Sequence, residues 1–102
     1  MLKVLFVCSM AKMRSKTAAE EFKEYFDTLY AGTSVDATIK VGKDILDWAD
    51  IIYCMEKCHR DRIRRKFSGY SKKIKVLDIE DIYEYDDPML KMELHDKIWK
   101  NR

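Results

Sequence analysis

The sequence predicts an α/β fold, a single three-layer domain in which parallel strands carry helices on both faces. Three observations predict it. Leu2 to Val7, a short apolar run rich in branched and aromatic residues, reads as a strand buried on both faces, and further strand-like runs such as Asp50 to Met55 follow it. Stretches with helical spacing stand between such runs, and strands joined that way lie parallel with right-handed crossovers. With 102 residues, 47% of them hydrophobic, and only three glycines and one proline, the chain has room for one core and short connections.

Each element can be argued in turn. After the first strand, Ser15 to about Leu29 turns helical: Ala18, Phe22, Phe26 and Leu29 share one face, with Glu20, Lys23 and Glu24 off it. Thr28 to Ala31 reads as a second short strand ended by Gly32. Lys43 to Ala49 is a short helix with Ile45, Leu46 and Trp48 as its apolar residues, and Asp50 to Met55 is the third strand. A basic helix, about Lys57 to Phe67, follows and stops near Gly69. Lys73 to Ile79 supplies the fourth strand through Ile74, Val76 and Leu77. An acidic connection with tyrosines, Glu80 to Asp87, leads to a last helix that takes Pro88 in its first turn and turns Met89, Met92 and Ile98 or Trp99 inward.

The totals narrow the function. A formal net charge of +2 is too small by itself to argue for nucleic acid or membrane. No apolar run approaches the roughly 18 residues of a membrane span, and the opening run is short for a signal peptide, so a cytoplasmic location is expected. Three cysteines match no disulfide framework and are read as reduced thiols. Cys54, Cys58 and His59 suggest zinc only faintly, because a second ligand pair is missing and His95 is the one other histidine. No metal and no cofactor are expected.

The informative stretch is Cys8-Ser9-Met10-Ala11-Lys12-Met13-Arg14-Ser15, between a strand end and a helix start. A loop entering a helix aims successive backbone N–H groups inward and makes a nest for a tetrahedral anion at the positive end of the helix dipole. Ser9 to Arg14 are therefore the candidate phosphate-binding residues. The Arg14 fork can grip two phosphate oxygens. A sulfur beneath the nest is favoured as thiolate, and the Ser15 hydroxyl can donate to it, which makes Cys8 a nucleophile in line behind a phosphorus atom.

The residues Val4-Leu5-Phe6-Val7-Cys8, Arg14-Ser15 and Ala18-Ala19-Glu20 resemble the opening of low-molecular-weight protein tyrosine phosphatases. Further segments agree in order: Ala31-Gly32-Thr33-Ser34, Trp48 to Ile52 with Met55-Glu56-Lys57, and Asp87-Pro88. The resemblance is nearest to a short branch of predicted phosphatases, lacks the usual longer inserts in the middle, and implies a four-stranded sheet in the order 2-1-3-4. It also implies Cys8 as the nucleophile of a phosphocysteine intermediate, Arg14 as the phosphoryl clamp, Ser15 as the group that orients the thiolate, and Asp87 as general acid and then base. Asp86 is the adjacent candidate for that last role. Tyr83 and Tyr85 would wall the site for a flat phosphoaryl group, or pack on the protein's own surface. The substrate would be a phosphorylated protein, with phosphotyrosine foremost, or a small phosphate ester; phosphoarginine would also enter such a nest.

The loop departs from the family where glycine and asparagine are usual and Met10 and Ala11 stand here. A tight nest often needs a residue at positive φ, and alanine there would cost roughly 1 kcal/mol. Met13 replaces a common second cysteine and Lys16 a proline. These departures leave other readings open: a weakly catalytic or inactive phosphate-recognition module, or arsenate reduction, for which Cys54 and Cys58 are the only further thiols. A phosphocysteine carrier explains Arg14 and Asp87 less well than hydrolysis does. Arg60, Arg62, Arg64, Arg65 and Lys66 could meet RNA or DNA but read first as a solvated face. The apolar faces are all needed for the core, so a monomer is expected.

Overall fold

The computed structural model describes residues 1–100. In chain order it contains β1 (Lys3–Cys8), α1 (Arg14–Phe22), β2 (Asp27–Gly32), α2 (Lys43–Trp48), β3 (Ile51–Cys54), α3 (Lys57–Lys66), β4 (Ile74–Val76) and α4 (Pro88–Lys100). The four strands form one parallel sheet in the order β2-β1-β3-β4. The expected order is thus the observed one, with β1 central.

Alternation along β1 divides the core. Val4, Phe6 and Cys8 face a cluster with Ala18, Phe22, Leu90, Leu94 and Ile98, so α1 and α4 cover that side. Leu5 and Val7 face the opposite cluster with Leu46 and Ile63, covered by α2 and α3. Both faces of β1 are buried, which is why it reads as an unbroken apolar run.

Two expectations are corrected. The first helix ends at Phe22 rather than near Leu29. Lys23 to Phe26 turn instead, and Asp27 to Gly32 pair in register with Lys3 to Cys8. A full row of parallel hydrogen bonds along the sheet outweighs another turn of helix. Leu29 consequently lies on an edge strand and stays exposed, while Phe26 is buried from the turn. In α4 the inward stripe is Leu90, Leu94 and Ile98, whereas Met89 and Met92 are 61% and 66% exposed. The helix phase is set at its start, where Asp87 and Pro88 fix the first turn; an i, i+4, i+8 stripe then follows from Leu90.

Candidate phosphate-binding site

The site lies at the carboxyl end of β1, on the crossover to α1, where β2 and β3 flank the central strand. Cys8 is buried, with its Sγ 3.0 Å from the buried Ser15 Oγ. The loop between them is held from outside. Thr33 N and Ser34 N donate to the carbonyls of Cys8 and Ser9, each at 3.0 Å, and Thr38 donates from N to Met10 O at 3.1 Å and from Oγ1 to Ala11 O at 3.1 Å. With its carbonyls turned outward, the loop keeps its donors free: among the described residues no backbone carbonyl accepts from the N–H groups of Ser9 to Met13. These are the donors an anion nest requires.

Gly32 explains how the loop comes so close. A Cβ at that position would stand 2.4 Å from Ser9 O and 2.9 Å from Ala11 N, inside any tolerable contact. Ala11 adopts φ of 60°, the left-handed conformation that glycine and asparagine accept more readily. Its expected strain is therefore present in the fold. Ser9 and Met10 are half-buried, Ala11 is buried, and Lys12 and Met13 are exposed.

Arg14 is only 2% exposed and points across the sheet. Its Nη1 donates to Glu56 Oε1 at 2.6 Å and to Ile79 O at 2.7 Å, and its Nε lies 3.6 Å from Asp81 Oδ1. Two separate segments, at Glu56 and at Ile79 to Asp81, therefore fix the guanidinium. Glu56 opens α3, where His59 is 1% exposed. Burial, aided by the Arg14 charge, pushes the His59 imidazolium down to about 4, so the ring is neutral. Its Nδ1 accepts from Glu56 N at 3.0 Å; the proton is then on Nε2, which donates to Ser9 Oγ at 3.0 Å. His59 thus braces the loop through a side-chain bond.

The acidic connection docks on α1. Asp86 N donates to the buried Thr17 Oγ1 at 2.8 Å, and the Asp86 carboxylate pairs with Lys91 at 2.8 Å. Asp87 is half-buried and caps α4: its Oδ1 accepts from Met89 N at 2.9 Å. Tyr83 is half-buried against the α1/α4 core and donates to Glu93 at 2.5 Å. Tyr85 is more open; its hydroxyl donates to Glu20 and its ring lies under Lys16 Nζ, 4.7 Å from the centroid. The Glu20 carboxylate raises the Tyr85 phenol to about 12.

Sequence reasoning singled out Cys8, Arg14 and Ser15, and missed Glu56, His59, Thr17 and the packing role of Gly32. Glu56 was visible only as part of a matching segment, and His59 only as a faint metal ligand. Glu56, Cys58 and His59 do offer ligand atoms within 4.8 Å of one another. Both ring nitrogens of His59 and one Glu56 oxygen are already engaged with protein, however. Cys54 is buried on β3, where desolvation pushes its thiol up to about 12, and Cys58 is exposed on α3.

No family model and no curated protein matches the chain by sequence. Solved structures match it by fold. The tyrosine phosphatase AmsI of Erwinia amylovora superposes with a TM-score of 0.80 at 18% identity, covering 98% of this chain and 91% of that one. SP-PTP, a low molecular weight protein tyrosine phosphatase of Streptococcus pyogenes, gives 0.79 at 14% identity over 100% and 94%. The YwlE arginine phosphatase of Geobacillus stearothermophilus gives 0.69 at 20% identity over 99% and 95%. The chain shares the fold of these proteins along its whole length.

Proposed function

We propose that the protein is a cysteine-dependent phosphatase that hydrolyses phosphomonoesters, with phosphotyrosine in proteins as the substrate class. The observation that carries this reading is the Cys8–Ser15 contact of 3.0 Å beneath a loop whose N–H groups are free. The phosphoryl group sits in the nest with its oxygens on the loop amides and on the part of Arg14 that Glu56 and Ile79 leave open. The Cys8 sulfur attacks phosphorus; the S–P bond forms as the P–O bond to the leaving group breaks. Asp87 gives its proton to the departing oxygen, then accepts one from the water that cleaves the S–P bond and releases phosphate. The nest and Arg14 hold the charge that develops on the equatorial oxygens.

Asp87 is preferred to Asp86 for the proton transfers because the Asp86 carboxylate is paired with Lys91, whereas capping engages one Asp87 oxygen. Tyr85, exposed beside the first turn of α1, is the better placed aromatic wall, since Tyr83 is turned to Glu93. The nest itself reads only the phosphoryl group, so phosphoarginine is the competing substrate. Among the described residues no helix is long and apolar enough to cross a membrane.

The left-handed Ala11 favours a second reading, a module that binds phosphate without turning it over. Hydrolysis of p-nitrophenyl phosphate over about pH 5 to 8 separates the two. Turnover abolished in Cys8→Ser and strongly reduced in Asp87→Ala supports the phosphatase. Tight vanadate binding by a folded protein without turnover supports the module.

A further inference from the structure

A second concave surface begins one hydrogen bond from the nucleophile's backbone. Thr33 and Ser34, whose amides hold the Cys8 and Ser9 carbonyls, also form one wall of a groove of about 440 Å³. Lys40 and Val41 continue that wall, and the other comes from α3 through Arg62, Ile63, Arg65 and Lys66 and from Phe67 just after it. The volume suits one or two side chains. Ile63 is buried at its base, Val41 and Phe67 are half-buried, and Val35 stands 73% exposed at its edge.

The charge here is one-sided. Lys40, Arg62, Arg65 and Lys66 line the groove, and among the described residues none of them makes an ion pair. Unpaired cations on both walls and an apolar base define a ligand that is anionic and has an apolar side group. A solvated helix face explains the arginines of α3 but not Lys40 on the opposite wall or the apolar base between them.

We infer that this groove binds the acidic, apolar-bearing flank of a phosphorylated protein substrate while its phosphoryl group occupies the Cys8 nest. The inference rests on the phosphatase reading and gives it a sequence preference. A leucine or similar side chain enters between Val41 and Phe67, and neighbouring Asp or Glu residues meet the arginines and lysines. The substrate chain reaches the groove by passing Thr33 and Ser34. A nucleic acid backbone would need a long basic stripe; a short cleft with an apolar base favours peptide.

The test uses three phosphotyrosine peptides of equal length, flanked by Glu and Leu, by Ser and Gly, or by Lys. Wild type should prefer the first by about tenfold in kcat/KM, chiefly through KM. Arg62→Glu/Arg65→Glu, two exposed positions, should lose that preference while its kinetics on p-nitrophenyl phosphate stay unchanged. Equal rates on the three peptides, or a preference that survives in the double variant, overturn the groove. Binding is measured separately on Cys8→Ser with the unphosphorylated Glu/Leu peptide, following amide shifts at Thr33, Ile63 and Phe67. If that peptide binds there but p-nitrophenyl phosphate is not hydrolysed by wild type, the phosphatase reading fails and the groove stands. If a single-stranded oligonucleotide displaces the peptide at equal concentration, the groove belongs to nucleic acid and the inference fails.

Discussion

Ala11 and Gly32 show how much of the site is decided by atoms that do no chemistry. Ala11 sits at φ of 60° with its Cβ in a buried loop, and Gly32 lies where a Cβ would strike Ser9 O. The two substitutions to the other small residue should therefore move in opposite directions. Ala11→Gly relieves the left-handed strain and should raise stability by up to roughly 1 kcal/mol, less what the unfolded chain gains in freedom. Gly32→Ala should lower it by roughly 1–3 kcal/mol, as overpacking does, and should displace the nest. Urea unfolding of both variants, with p-nitrophenyl phosphate kinetics alongside, checks the pair. The site was legible at this scale wherever chemistry and spacing coincide: Cys8, Arg14 and Ser15 announce themselves between a strand and a helix. Gly32 did not, because a close approach between distant segments leaves no local mark beyond a glycine that could equally end a strand.

Elements were legible where the apolar pattern had one interpretation. β1 and β3 are buried runs, and α3 keeps its expected extent nearly to the residue. The failure at Phe26 and Leu29 came from a spacing that fits a helix through Leu29 as well as it fits a helix, a turn and a strand. Local periodicity cannot weigh the hydrogen bonds that β1 offers to Asp27–Gly32. At α4 the start signal was right and Ile98 is inward as expected, but Met89 and Met92 are not, since Met and Leu count alike in a stripe. That start gives Asp87 two duties, as cap of α4 and as the proposed proton donor. Asparagine caps as well as aspartate but does not transfer the proton. Asp87→Asn should keep the wild-type melting temperature and lose most turnover, whereas Asp87→Ala should lose turnover and about 1 kcal/mol of stability. A thermal melt beside a rate measurement separates the duties; equal stability of the two variants would remove the cap.

At the scale of the molecule, two side-chain ties join the nest to the far side of the sheet. Arg14 reaches Glu56 and Ile79, and Ser9 reaches His59, so the start of α3 and the segment after β4 share in holding a loop that belongs to β1 and α1. None of this could be read along the chain, because Ser9 and His59 lie 50 residues apart and neither has an apolar pattern to betray the contact. Glu56→Gln should keep a hydrogen bond to Arg14 but weaken its hold, lowering kcat more than it raises KM, which steady-state kinetics would show. The His59 tie carries a pH dependence whose sign is fixed. Its imidazole titrates near 6.5 when unfolded and near 4 in the fold, so between those values the unfolded chain binds more protons. Stability should therefore be complete above about pH 6.5, fall as pH drops toward 4, and level off below that as far as this residue is concerned. The whole effect amounts to about 3 kcal/mol at most. A protonated ring would also lose its acceptor at Nδ1, breaking the bond from Glu56 N and loosening both ties together. Urea midpoints at pH 7 and pH 5 should differ in wild type and converge in His59→Gln, which retains a donor for Ser9 without titrating. Equal pH slopes in the two proteins would mean that other groups carry the acid sensitivity.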